Sequence, residues 1–420
     1  MGAKRRDSPL DEMLSANLVR GNPWFSIKSK HMFSQRTNWG LAQNRFTQAV
    51  EEVRAENRRI LDLSASNPTR IGLEFDSQAI LQALSSPRAL DYAPQAKGLL
   101  SARQAVAGYY FEQHGFHDLH PERIVLTTST SEGYSYVFRL LCNAGDELLV
   151  PKPSYPLFEF LADLEDVRLV PYPLIYDHGW QMDFHSMKKA VTNRTRGVVV
   201  VHPNNPTGSY VHAGEFDSLN AFCREHELAL TVDEVFLDYP LDDSAHLSFA
   251  GNEEVLTFTL SGLSKISALP QMKVAWVVTS GPAAEVETAM GRLEVIADTY
   301  LSMNAPMQWA LPSLLEQRHG VQRQLRSRLK TNLAELDRQL ATQTLCHRLC
   351  VEGGWYAVLR VPVTRSDEEL AIELVREKSV IVHPGHFYDF ATDGYLVLSL
   401  NTPAGEFATG IERVLESLQS

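Results

Sequence analysis

Lys265 closes the run Leu260-Ser261-Gly262-Leu263-Ser264-Lys265, between two apolar, β-prone stretches, Val255–Leu260 and Val274–Val278. A lysine at the lip of a buried sheet, among small and hydroxylic residues that cannot neutralise it, is poorly solvated as an ammonium. Its pKa is expected to fall, and the free amine is then a nucleophile for aldehydes. A solvated loop lysine is the plainer reading, so the case depends on the rest of the chain. Asp233-Glu234 follows the apolar Ala229–Val232. A carboxylate there is costly without a partner, which a protonated ring nitrogen or a salt bridge would supply. Ser129, Thr130 and Ser131 lie in Thr128-Ser129-Thr130-Ser131-Glu132-Gly133, directly after Ile124–Thr127. Ser129 and Glu132 have capping-box spacing, so the loop is either an ordinary helix cap or a phosphate seat. Tyr155 sits in Pro151-Lys152-Pro153-Ser154-Tyr155-Pro156, where two trans-prolines are expected to hold it for stacking on a flat ring, or simply in a core. Asn205, in His202-Pro203-Asn204-Asn205-Pro206-Thr207-Gly208, can donate to a phenolate oxygen.

Each of these loops follows an apolar β-run, and the runs must position them. They recur at Ile124–Thr127, Glu147–Val150, Arg168–Pro171, Gly197–Val201, Ala229–Val232, Val255–Leu260 and Val274–Val278. Unbroken runs such as Val198-Val199-Val200-Val201 mark strands buried on both faces. Helical stretches between many of them imply an α/β fold with a mostly parallel, seven-stranded sheet covered on both sides. In such sheets ligands bind at the carboxyl ends of the strands.

The remaining chain divides around this unit, expected at 76–304. Residues 1–45 read as an arm, with Pro23-Trp24-Phe25 and Phe33, laid on something else such as another subunit. Residues 46–75 and 305–420 read as a smaller α+β unit. It is expected to hold a helix from about Leu41 to Asn57, a strand at Leu61–Leu63, and a long charged helix from about Gln308 to Gln339. Strands at Trp355–Val361, Val380–His383 and Tyr395–Leu400, a helix near Glu368–Arg376 and a closing helix from Ala404 complete it.

With 420 residues, 44% hydrophobic and 21% charged, the chain has the composition of a soluble globular protein. A net charge of -12 argues against nucleic-acid or anionic-membrane partners. Cys142, Cys223, Cys346 and Cys350 form neither a disulfide framework nor a zinc pattern, which fits free thiols in a reducing cytoplasm. Lys4-Arg5-Arg6 is followed by polar residues, so no leader is expected, and no apolar run is long enough to span a bilayer.

The dinucleotide fingerprint, the Walker A loop, the nucleophile elbow and the zinc-protease motif are missing. The loops in their order resemble those of class I/II aminotransferases, fold-type I pyridoxal-phosphate enzymes, from about Leu61 to the C-terminus. The likeness is most specific at Asn205-Pro206-Thr207-Gly208, Asp233-Glu234 and Ser264-Lys265, and includes Tyr92 with Gly98. The resemblance implies that Lys265 forms the Schiff base and later moves the proton, and that Asp233 keeps the pyridine nitrogen protonated. It implies Asn205 as donor to the ring oxygen, Tyr155 as stacking partner, and Ser129, Thr130 and Ser131 as the phosphate loop. Tyr92 would reach the phosphate of a neighbouring subunit, so a homodimer with shared sites is implied. Partners would be a small-molecule amino donor and an oxo acceptor.

The departures are equally specific. Phe236 stands where the family carries a tyrosine bonding the ring oxygen. Gly262 replaces a phosphate-binding serine, with Ser261 adjacent as a substitute, and Lys273 replaces a phosphate-binding arginine. Val397 occupies the place of the arginine that holds the substrate carboxylate, and Ser66 that of a glycine near it. Arg36 or Arg45 of the arm would then take that carboxylate, or the substrate lacks one there. A lyase or decarboxylase on the same cofactor is the alternative reading. A non-catalytic regulator is a third, disfavoured by the short arm and the acidic chain.

Overall fold

The computed structural model describes residues 32–242, 246–301 and 303–419. Strand β1 (Leu61–Asp62) is followed by the eight strands of the large sheet. These are β2 (Ile124–Thr127), β3 (Glu147–Lys152), β4 (Arg168–Tyr176), β5 (Trp180–Met182), β6 (Thr195–Val201), β7 (Ala229–Asp233), β8 (Thr257–Gly262) and β9 (Ala275–Ser280). Their order across the sheet is β2-β9-β8-β7-β6-β3-β4-β5. The four pairings from β4 through β3, β6 and β7 to β8 are parallel, and β9 and β5 run against their neighbours. The carboxyl ends of β2, β3, β6, β7 and β8 therefore meet at one edge, joined there by the start of β9.

The sheet has eight strands where seven are expected from the sequence. β4 runs on to Tyr176, and β5 returns along it in a hairpin, Leu174 opposite Met182. Pro171 and Pro173 obscure this in the sequence, because proline cannot donate to a ladder. In the fold they lie on β4, next to last in the sheet, opposite Val150 and Lys152 of β3 and ahead of the β5 ladder, which begins at Leu174. The centre of the sheet follows the sequence closely: β-branched Val198, Val199 and Val200 are buried to 2% exposure or less, as unbroken apolar runs require.

The second unit contains β10 (His347–Arg348), β11 (Tyr356–Arg360), β12 (Val380–Ile381), β13 (His383–Pro384) and β14 (Tyr395–Ser399). β10-β11-β14-β13 form an antiparallel sheet, and β12 pairs with β1 in parallel. One apolar core joins this sheet to the helices Arg45–Ala55 and Ala404–Gln419 and to much of Arg318–Leu340. Asn44 caps the first of these helices by accepting from the Thr47 amide at 2.7 Å.

Where one long helix is expected from Gln308 to Gln339, the chain forms two, Ala305–Glu316 and Arg318–Leu340. Gly320 lies in the first turn after the joint and Pro312 within the helix before it. Arg318, only 2% exposed, donates to the Leu315 carbonyl at 3.0 Å and pairs with Glu112, which holds the joint. The first of the two helices packs into the core of the large unit through Ala310, Leu311, Leu314 and Leu315. The packing therefore changes sides near residue 317. Of the arm, Pro23-Trp24-Phe25 lies outside the described residues. Trp39 packs edge-on to Phe160 and donates to Asp163 at 2.8 Å.

Candidate active site

The converging strand ends enclose a cavity of about 290 Å³. Its wall gathers Ser129, Thr130, Ser131, Tyr155, Asn205, Asp233, Phe236, Lys265 and Lys273, residues up to 144 positions apart along the chain, from Ser129 to Lys273.

Ser129 caps the twelve-residue helix Thr130–Leu141, accepting from the Glu132 amide at 3.1 Å. The expected reciprocal bond goes one residue further back, to the Thr128 amide. Amide groups, hydroxyls and the positive end of the helix dipole thus face the cavity, the arrangement that binds anions. Lys273 adds a cation to the same wall from a left-handed backbone position, φ 52°.

Tyr155 is presented by the turn after β3. The Lys152–Pro153 bond there is cis, correcting the trans reading, and the turn is tied to the smaller unit by Ser154 N–H donating to the Tyr388 carbonyl at 2.9 Å. After β6, Asn204 accepts from the Thr207 hydroxyl at 2.9 Å and stabilises the loop. Its neighbour Asn205 is left in the wall with a buried side-chain oxygen that has no partner among the described residues. That oxygen is an acceptor and calls for a donor, whereas a ring oxygen would be met by the Asn205 amide nitrogen.

Asp233 ends β7 at 8% exposure. Its two oxygens accept from the Val235 amide at 3.0 Å and the Tyr134 hydroxyl at 3.1 Å. Burial pushes its carboxyl up to about 6, against the lowering influence of those bonds and of Lys265. Glu234 points the other way, into the protein, bonded by the Ser248 hydroxyl and the Phe249 amide, each at 2.6 Å. Lys265 lies in the short helix Leu263–Ile266. Its Nζ lies 4.9 Å from the Trp355 ring and 5.5 Å from the Phe236 ring. The Lys265 carbonyl accepts from the Tyr239 hydroxyl at 2.5 Å, which fixes its backbone.

Two expected residues stand apart. Ser261 is 1% exposed and turns to the Glu234 carbonyl at 3.5 Å, so it does not line the cavity. Ser264, the residue before the lysine, takes that place. Gly262 cannot carry a side chain: a Cβ there would lie 2.8 Å from the Val274 carbonyl. Tyr92 is 86% exposed and outside the cavity of its own chain. Tyr134 and Tyr356 are residues that the sequence alone did not reveal, and Ser264, part of the Ser264-Lys265 match, is given no role by it. Tyr356 was within reach, since it falls at an inward position of an expected strand.

This donor set fits a flat phosphorylated ring: an anion seat, an orphaned amide, an aromatic face, a buried carboxylate and an amine around one space. Residues 58–414 match the model of the family described as aminotransferase class I and II, and the chain belongs to that family. It is a pyridoxal-phosphate-dependent aminotransferase, acting on small amino and oxo compounds. It is 31% identical to the glutamate-pyruvate aminotransferase AlaA of Escherichia coli over 268 residues, 63% of this chain and 66% of that protein. With an alanine aminotransferase of Mycobacterium tuberculosis it shares 28% identity over 381 residues, 87% of each. An Escherichia coli aminotransferase of known structure superposes with a TM-score of 0.80 at 23% identity, over 95% of this chain and 99% of that one, a likeness of fold.

Proposed function

We propose that Lys265 holds the cofactor covalently and carries the transferred proton on Nζ, while Asp233 keeps a proton on the ring nitrogen. The observation that carries this reading is the convergence of Lys265, Asp233, Asn205 and the Ser129–Ser131 helix start on one cavity from four separate loops. Bound there, the ring supplies an electron sink for charge that develops on the donor's reacting carbon. Asn205 donates to the ring oxygen and Tyr155 covers a ring face. Ser129, Thr130, Ser131, Ser264 and Lys273 hold the phosphate. Phe236 brings an apolar ring where a hydroxyl would otherwise meet the ring oxygen.

The donor we propose is a small amino acid or amine and the acceptor an oxo acid, in line with the names of the curated relatives. Val397 is fully buried in β14, between Val358 and His383, and offers no charge to a carboxylate. Arg36 and Arg45, the arm cations considered for that task, pair with Asp166 at 3.5 Å and Glu368 at 3.2 Å. Among the described residues, the cations on the cavity wall are Lys265 and Lys273. Ser66 and Tyr356, on the side of the smaller unit, are therefore proposed to meet the polar end of the substrate.

We further propose two units meeting at the cavity, with residues 46–75 in the smaller one, and a homodimer in which Tyr92 reaches the neighbouring protomer's phosphate. Among the described residues no helix is long and apolar enough to cross a membrane. The four unpaired cysteines support a reducing, cytoplasmic setting.

The test is the visible absorption of the cofactor-loaded protein before and after adding a panel of amino acids and simple amines. The expected result is a band that small donors bleach and that is missing in Lys265→Ala. A band of unchanged position and intensity in Lys265→Ala would remove the lysine from its role.

A further inference from the structure

Tyr134 is 3% exposed, and its hydroxyl lies 3.1 Å from Asp233 Oδ2, across 99 positions of sequence. It lies three residues after Ser131 on the helix Thr130–Leu141, on the same face, since residues three apart on a helix are neighbours. That helix lies close against the sheet: a Cβ on Gly133 would come within 2.9 Å of Leu260. One rigid element thus presents the anion seat at its first turn and a donor to the buried carboxylate one turn later. The other carboxylate oxygen is held by the Val235 amide, from the turn that follows β7. With each oxygen bound from a different element, the plane of the carboxylate is set before any ligand arrives.

We propose that Tyr134 is a positioning residue for Asp233, orienting the carboxylate toward the ring nitrogen of the bound cofactor. The proposal rests on the assignment of Asp233 to that nitrogen. Tyr134 also packs edge-on to Phe158 at 5.2 Å and Phe138 at 5.8 Å, so a role in packing alone must be separated from one through the hydroxyl. Tyr134→Phe keeps the ring and removes only the donor.

The experiment measures binding to the full chain, freed of cofactor, of two ligands. One is pyridoxamine 5'-phosphate, and the other is its analogue with carbon in place of the ring nitrogen. Tyr134→Phe and Asp233→Ala are each expected to weaken the nitrogen-bearing ligand by about tenfold or more, the scale of one lost hydrogen bond to a charged group. The double variant should lose little beyond the larger single effect, because both act through one contact. Neither variant should change the affinity of the carbon analogue. Equal weakening of both ligands by Tyr134→Phe would reduce the tyrosine to a packing role and overturn the proposal. If Asp233→Ala discriminates between the ligands and Tyr134→Phe does not, the tyrosine proposal alone falls. If Asp233→Ala fails to discriminate, the assignment of Asp233 falls and the proposal with it.

Discussion

At the scale of single residues, burial governs the site. Asp233 is pushed up to about 6 and Glu234 to about 8, both by loss of solvent. A carboxyl whose folded pKa is raised gives its full stability below its ordinary pKa and loses it as pH rises through the folded value. The cofactor-free protein is therefore expected to weaken from about pH 4 toward pH 8 on account of these two groups. His202 and His383, lowered by burial to about 3 and about 4, act in the opposite sense. Their contribution is complete above the ordinary histidine value and is lost as pH falls through 4 and 3. Asp233→Asn removes one carboxyl from this balance. By urea unfolding without cofactor, the variant should gain on the order of 2 kcal/mol over wild type near pH 8 and almost nothing near pH 4. An equal difference at both values would show that ionisation of Asp233 has no part in it. Direction of side chains is what the sequence left unreadable here. Ser261 and Ser264 are both serines near the lysine, and only the fold decides which one faces the cavity. Tyr134 was invisible for a similar reason, since its partner is fixed by the packing of a helix on the sheet.

At the scale of elements, most strands were legible because unbroken β-branched runs admit few other solutions. The hairpin β4–β5 was missed where prolines interrupt the run, and the break before Arg318 where a buried guanidinium holds the joint. The β8–β9 pair shows how an element limits its residues. Gly262 is opposite Ala275 in that ladder, and the space for a side chain is filled by the backbone at Val274 and Ala275. Gly262→Ser, which would restore the serine of the family pattern, is expected to cost about 1–3 kcal/mol in chemical denaturation, the usual range for overpacking. It should weaken cofactor binding rather than improve it. Tighter binding with unchanged stability would mean that the two strands separate easily.

At the scale of the whole molecule, Tyr92 and its chain neighbour Leu90 are exposed among the described residues, at 86% and 89%. The proposed homodimer would bury this segment against the neighbouring protomer. Light scattering should give twice the chain mass of 47.1 kDa. Tyr92→Ala should leave the unfolding curve of the cofactor-free chain nearly unchanged, since an exposed side chain contributes little within its own protomer. It is expected to raise the dissociation constant of the cofactor about tenfold, by loss of one charge-assisted hydrogen bond. A monomeric mass, or full affinity in Tyr92→Ala, would refute the shared site.

The cavity is lined from the large sheet on one side and, on the other, from β11 and the loop after β1. Loops of the large sheet bring Lys265, Asp233 and the Ser129–Ser131 helix start, whereas Tyr356 comes from β11 and Ser66 from the loop after β1. With Ser66 and Tyr356 meeting the substrate as proposed, mutations that retune preference among substrates would fall on one side and leave the residues of the other unchanged. A laboratory selection confined to Ser66 and Tyr356 is therefore expected to shift donor preference while keeping the cofactor bound.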